Sequence, residues 1–237
     1  MLLSRLLASA ALLALGGAWV VPQGEPKETT ILDEREEELR KQRDALSELV
    51  ASYSKTCKEL KIDSWLMHSS LLGWWYNKQV LPWEKTIHVQ VFEPDLAFLA
   101  RNYNMTVFHR RRGRDYLLYV NPEYANWERT DTSGAADARW IDMESGMSID
   151  IMAVRYRRGS EDEDETAMSC RNGYEIKDTQ IIPLRKTWFE GFAVQIPYRY
   201  RELLHEEFGD ETLWHPGTGN DEYRFNDQMM SWDLKSK

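Results

Sequence analysis

Two stretches of the 237-residue chain carry residues of the types that handle phosphate. In the first, Ser64-Trp65-Leu66-Met67-His68 is an apolar run suited to a buried strand. Ser69 and Ser70 follow, and Leu71 to Asn77 reads as a short helix. A small-residue turn that opens a helix points backbone N–H groups and the positive end of the helix dipole at one place, which is a cradle for an anion. In the second stretch, Ile87, Val89 and Val91 alternate with Thr86, His88 and Gln90. Such a strand buries one face and aims its polar side chains from the other. Two side chains presented that way are the usual means of holding a divalent metal over a phosphate. Asp150 has a related character, because it stands between Ile149 and Ile151. An acid in an apolar strand must be paired, bound to metal or turned to a cleft.

These residues need a scaffold, and the periodicity supplies one. Asp33 with Glu36 has the pattern of a capping box, and Leu39, Leu46, Leu49, Val50, Tyr53, Cys57 and Leu60 recur at helical spacing. This predicts one amphipathic helix over 33–62 that packs on the domain. Strands are expected at 64–68, 86–92, 116–120, 138–141, 147–152 and 192–196, and helices at 94–103 and from Pro197 to Gly209. Helices alternate with strands, some neighbouring strands read as hairpins, and no repeat is present. The fold class is therefore mixed α/β, a sandwich of helices on a sheet.

The N-terminus divides from this domain. Arg5 precedes an apolar run from Leu6 to Val21, which reads as a signal peptide or an uncleaved signal anchor over 1–21. Residues 22–32, with Pro22, Gly24 and Pro26, form a linker, and the domain occupies 33–237. Either reading of the run directs the domain to the secretory pathway, in the Golgi or ER lumen or outside the cell. Asn104-Met105-Thr106 is an N-glycosylation acceptor, in keeping with that compartment. Cys57 and Cys170 either pair there or stay as buried thiols. The net charge of −9 sets aside a nucleic-acid binder. The basic run Arg110–Arg114 and the acidic run Glu161–Glu165 both read as solvated loops. Most of the ten Trp and eleven Tyr residues are core material.

The run from Trp65 through Val91 resembles the LicD/fukutin family, above all its fungal branch linked to mannosylphosphate transfer. That branch reads His-Gly-Thr-Leu-Leu-Gly-Trp-Trp and then Leu-Pro-Trp-Asp-x-Asp-x-Asp-Val-Gln-Val. Here the same places hold His68-Ser69-Ser70-Leu71-Leu72-Gly73-Trp74-Trp75 and Leu81-Pro82-Trp83-Glu84-Lys85-Thr86-Ile87-His88-Val89-Gln90-Val91. Further matches follow in order: Asn102 to Val107, Tyr116-Leu117-Leu118 with Asn121-Pro122, Asp137 to Asp142, Gly146 with Ile149-Asp150-Ile151, and Pro183 to Gly191. The resemblance covers roughly residues 60–210. It implies a nucleotidyltransferase-like fold, a small mixed sheet flanked by helices. It also implies transfer of a phosphate-linked group from a nucleotide-activated or phosphate-linked donor onto a glycan acceptor. Strand carboxylates would hold one or two divalent metals, Mn²⁺ or Mg²⁺, which neutralise the donor phosphates.

The three family aspartates of the first strand fall on Glu84, Thr86 and His88. Thr86 offers only a hydroxyl, and His88 a nitrogen that suits Mn²⁺ or Zn²⁺ better than Mg²⁺. Asp150 keeps the third-carboxylate position. The ligand set that the resemblance leaves is Glu84, His88 and Asp150, with Asp150 and Glu84 as catalytic residues. Ser69, Ser70 and Arg139 would meet the donor phosphate, Ser69 standing in the place of the family glycine. The ordinary readings stand beside these. His88 is a polar residue on an exposed strand face, Glu84 a solvated loop carboxylate, and Asp137, Arg139 and Asp142 an internal ion-pair network. Metal-aided charge stabilisation contributes several kcal/mol, so replacing two anionic ligands costs roughly three orders of magnitude in rate. The expectation is a LicD-type transferase of protein glycosylation with weakened or lost catalysis. Its alternative is a non-catalytic relative that binds a glycan or nucleotide-sugar or supports an active partner.

Overall fold

The computed structural model describes residues 28–110, 113–126, 136–156, 167–171, 175–217 and 220–235, the side chains of 28–34 and 36 excepted. The expected signal segment, most of the linker and the acidic run Glu161–Glu165 lie outside the described residues. The chain divides into two units, Met1–Glu36 and Glu37–Lys237. In the first, residues 28–36 are helical.

Helix α1 spans Glu28–Leu60. It begins ahead of the expected Asp33 because nothing between Pro26 and Asp33 breaks a helix, so the linker gives way at residue 28. It ends before the expected residue 62 because Lys61 turns to a positive φ of 58°. From Glu37 onward its apolar stripe, with Leu46, Leu49, Val50 and Tyr53, is buried. Chain order then gives β1 (Ser64–Leu66), α2 (His68–Asn77), β2 (Thr86–Phe92), α3 (Glu93–Tyr103), β3 (Thr106–His109), β4 (Asp115–Val120), β5 (Ala138–Asp142) and β6 (Ser148–Tyr156). There follow β7 (Ala167–Cys170), β8 (Glu175–Lys177), α4 (Asp178–Ile181), β9 (Arg185–Phe189), β10 (Phe192–Ile196), α5 (Tyr200–Trp214), β11 (Tyr223–Asn226) and β12 (Ser231–Leu234).

The main sheet runs in the order β1-β2-β6-β5-β4-β3, and β7 and β8 extend from β6. The fold is mixed α/β, as the alternation of patterns implied. Within the main sheet the pair β2/β6 is parallel and every other pair is antiparallel. The parallel pair places Thr86 opposite Ser148, Ile87 opposite Ile149 and His88 opposite Asp150. Side chains alternate across the sheet, so Ile87, Val89 and Ile149 point to one face and His88 and Asp150 to the other.

The first face carries the core beneath α1. Trp140 is fully buried there, stacked on Tyr116 with centroids 5.8 Å apart and set against Phe108 and Tyr53. Its Nε1 donates to Ser52 Oγ at 2.9 Å, which satisfies the one polar atom of a buried ring. On the second face Trp65 donates from Nε1 to the buried Gln90 Oε1. Helix α5 starts at Tyr200 and runs past its expected end to Trp214, but Gly209 inside it has φ 74° and ψ 165°. The glycine therefore breaks the helix where the sequence placed a stop, and a second helical segment resumes after it. Cys57 and Cys170 do not form a disulfide with each other. Burial pushes the Cys57 thiol up to about 12, and the Cys170 sulfur accepts from Gln90 Nε2. No helix among the described residues is long and apolar enough to cross a membrane.

Candidate functional site

The site is built on the N-terminal ends of β2 and β6, where the second face of the sheet is polar. Asp150 is register partner to His88 on one side and to Arg139 on the other. Arg139 Nε donates to Asp150 Oδ1 at 3.1 Å, and Ser148 Oγ donates to the same oxygen at 3.1 Å. Asp150 is thus a paired acid. Half of the Arg139 side chain is in water, so this ion pair orients the carboxylate more than it stabilises the fold.

His88 lies between acids and another imidazole. Burial and the neighbouring His68 hold its pKa below the ordinary histidine value, while Asp150, Glu84 and Glu207 act in the opposite direction. Removing water disfavours the charged ring, so His88 is neutral at neutral pH with an unprotonated nitrogen. The His68 ring stands edge-on to it, centroids 6.2 Å apart, and His68 Nδ1 lies 2.8 Å from Glu207 Oε1 on α5. His68 and Glu207 are members of the site that the sequence did not reveal. No spacing rule joins positions 68 and 207; only the docking of α5 on α2 brings them together.

The turn before α2 positions the cradle. Leu66 is the last residue of β1 that pairs with β2. Beyond it Met67 N–H donates to His88 O, and His88 N–H donates to Ser70 Oγ at 2.8 Å. Ser70 is therefore tied into the strand edge, with its hydroxyl proton still available to donate. Ser69 Oγ is buried and has no hydrogen-bond partner among the described residues. The left-handed residue of the turn is His68, φ 54°, and not Ser69. Ser69 in the glycine's place is thus free of backbone strain, and the polar hydroxyl it adds sits at the opening of α2. Met67 gives that helix end no side-chain cap, and the positive end of a helix dipole favours an anion.

Glu84 sits in the loop before β2. Its backbone is held at both ends, N–H to Leu81 O at 2.9 Å and O from Gln42 Nε2 at 3.0 Å. Among the described residues no three His, Cys, Asp or Glu side chains converge as a metal-ligand set. Glu84, His88 and Asp150 share one neighbourhood, yet Asp150 is turned to Arg139 and Glu84 comes from a separate loop. As arranged, the three fit a divalent metal poorly.

The expected network of Asp137, Arg139 and Asp142 is three separate pairs. Asp137 is fully buried against Arg171 and accepts from Ala153 N–H, and Asp142 binds Arg114 at 2.8 Å. Arg139 alone faces the site. Arg185 lies over the ring of Tyr198, 4.5 Å from its centroid. Glu190 turns the β9–β10 hairpin at φ 49°, but its side chain is buried, where it accepts from Val80 N–H at 2.6 Å.

Residues 61–199 match the family described as LicD/FKTN/FKRP, nucleotidyltransferase domain. Mannosyltransferase regulator 4 of Saccharomyces cerevisiae is 28% identical over 130 residues, covering 54% of this chain and 11% of that protein. Mannosyltransferase regulator 14 of the same yeast is 29% identical over 112 residues, covering 46% of this chain and 12% of the relative. The chain thus spans only a small part of the length of either relative. The family match runs from the end of α1 to the start of α5 and takes in the turn, the parallel strand pair and both hairpin strands β9 and β10. On that match the chain belongs to the LicD/FKTN/FKRP family through its nucleotidyltransferase domain.

Proposed function

We propose that this chain works in protein glycosylation, in the lumen of the secretory pathway or outside the cell. In this reading it is a LicD-type domain that binds a phosphate-linked sugar or nucleotide-sugar and supports transfer of the mannosylphosphate kind. Its own transfer chemistry is weakened or lost. The observation that carries the reading is the Arg139–Asp150 pair beside a neutral His88. The strand carboxylate that would hold metal is engaged by a cation, and its register partner carries no charge. What supports anion binding is the N-terminus of α2, which has no side-chain cap from Met67, the unpartnered Ser69 hydroxyl and the solvent-facing edge of the Arg139 guanidinium, which suits a phosphate. The two yeast relatives are named as regulators of a mannosyltransferase, and such a role asks for binding more than for chemistry.

A test uses mannose 1-phosphate as the probe and thermal stability of the full chain as the readout. Stabilisation that needs no Mn²⁺ and disappears in Arg139→Ala supports the reading. Mn²⁺-dependent transfer of a phosphate-linked sugar to a glycan acceptor, abolished by Asp150→Ala, would overturn it and make the chain an enzyme. The neutral His88 favours that second reading in one respect, since an unprotonated imidazole can ligate Mn²⁺ beside Glu84 and Asp150.

A further inference from the structure

A cleft of about 330 Å³ lies between the end of α2 and the two segments of α5. Trp75 and Trp214 are two of its walls. Their rings meet edge to face, centroids 6.0 Å apart and planes at 79°, so together they form a corner. Trp214 is 63% exposed, and Trp75 is its only ring contact among the described residues. The open apolar surface is therefore this indole, since Leu204 and Leu213 beneath it are buried. The corner is fixed from below. Trp75 Nε1 donates to Leu213 O at 3.2 Å, and the Tyr76 hydroxyl donates to Thr212 O. These two bonds tie the segment after Gly209 to α2, so Trp214 is in position before any ligand arrives.

The polar groups around the corner are mixed in kind. Arg201 lies over the Trp75 ring, 5.3 Å from its centroid, and offers N–H donors. Glu202 and Asp210 offer carboxylate oxygens, and His205 Nε2 lies 3.4 Å from Asp210 Oδ2. All four side chains are exposed, so their pairings are weak enough to be exchanged for a ligand's hydroxyls. A phosphate is disfavoured here, because Glu202, Glu206 and Asp210 outnumber Arg201. An organic cation is disfavoured too, because Arg201 already covers a face of Trp75 that a cation would take. An aromatic plane with donors and acceptors at its rim suits a neutral polyol ring, whose C–H face lies on the indole and whose hydroxyls each donate and accept. We propose that the corner binds a neutral pyranose ring of a glycan, its apolar face on Trp214 and its hydroxyls among Arg201, Glu202, His205 and Asp210. Trp75 stands seven residues after His68 on α2, which puts the corner about 10 Å along the helix from the turn that faces phosphate. The inference rests on the proposed glycosylation role only in making this ring part of the same glycan, with α2 meeting phosphate at its start and neutral sugar at its end.

The test is saturation-transfer NMR and calorimetric titration of the full chain with mannotriose, maltotriose and chitotriose. At least one trisaccharide should bind, its ring protons saturated from aromatic protons of the protein. Trp214→Ala should weaken it about tenfold or more, and Trp214→Tyr, which keeps a ring to stack on, should weaken it less. Trp214 is exposed, so both variants should keep the cooperative melt of the free chain. Binding of none of the three trisaccharides would overturn the proposal, as would binding that Trp214→Ala leaves unchanged. Displacement of the trisaccharide by an equal concentration of tetramethylammonium would overturn it in favour of a cation site, and a dimer that Trp214→Ala dissociates would overturn it in favour of an interface between copies. Mannose 1-phosphate reads the other end of α2, and its binding should answer to Arg139→Ala and not to Trp214→Ala. Trisaccharide binding that depends on Trp214, with no binding of mannose 1-phosphate, upholds this proposal and removes anion binding at the turn; the reverse pattern removes this proposal alone.

Discussion

Arg139 and Asp150 face each other in register across β5 and β6, with the guanidinium Nε 3.1 Å from the carboxylate Oδ1. The pair couples two changes that look separate in the sequence. Thr86 and His88 remove anionic ligands from β2, and the acid that remains on β6 is left with a cation for company. A metal entering here would have to displace Arg139 and then find its further ligands in Glu84 and a neutral imidazole.

The first prediction follows from that competition. Mn²⁺ should leave the melting temperature of the wild-type chain unmoved. It should raise that of the Thr86→Asp/His88→Asp variant, by the several degrees that about 2.7 kcal/mol gives at a hundredfold excess over Kd. Adding Arg139→Gln to that variant should tighten Mn²⁺ binding further. A wild-type shift that vanishes in Asp150→Ala would show instead that Glu84, His88 and Asp150 already form a working site.

Glu190 supplies a pH dependence. Burial raises its pKa above the ordinary glutamate value, and the Val80 N–H and Arg43 only partly oppose this. The folded chain therefore holds this proton at a pH where the unfolded chain has released it. Stability is full below the ordinary value and declines as pH rises through the higher folded value. Glu190→Gln keeps an acceptor for Val80 N–H and removes the titration. Denaturant melts across the acidic range should show a shallower decline for this variant. Asp95 and Asp137, also raised by burial, will sustain part of the slope. An unchanged slope would remove Glu190 from the account.

Much of this was legible beforehand because the local patterns agree with the global fold. The period-2 alternation in Thr86–Phe92 named the strand and its buried face, and Asp150 between two isoleucines announced a partnered acid. The sequence could not say which partner. Arg139 is eleven residues from Asp150, and only the β5–β6 register decides that Arg139 reaches Asp150 while Asp137 goes to Arg171. Glu207 was hidden for the same reason, since its role depends on tertiary docking. The hairpin Tyr223–Asn226 with Ser231–Leu234 was missed because its strands are short and lack clean alternation; it is held by Trp232 and Phe225 against Tyr76 and Trp83.

Gly73 tests the packing of the family-like run Leu71–Trp75. It is a buried helical glycine whose absent Cβ would fall on the Gln79 carbonyl oxygen. The obstacle is backbone, so α2 and the segment after it would have to separate. Gly73→Ala should cost about 1–3 kcal/mol, despite the helix propensity that alanine adds. A denaturant melt measures it, and a gain in stability would mean that the segment 78–81 moves aside freely.

Ser70 separates a structural from a binding role in one residue. Its Oγ is the acceptor for His88 N–H at the point where β1 no longer reaches β2. Ser70→Ala leaves that N–H without a protein acceptor, and an unsatisfied buried donor costs about 1–3 kcal/mol. The loss should appear in the melt of the chain with no ligand present. Ser69→Ala should raise stability, because it removes a buried hydroxyl that has no partner, and should weaken mannose 1-phosphate instead. If the two substitutions behave alike in both measurements, the turn does not divide its two hydroxyls between fold and ligand, and the cradle must rest on the α2 backbone and Arg139 alone.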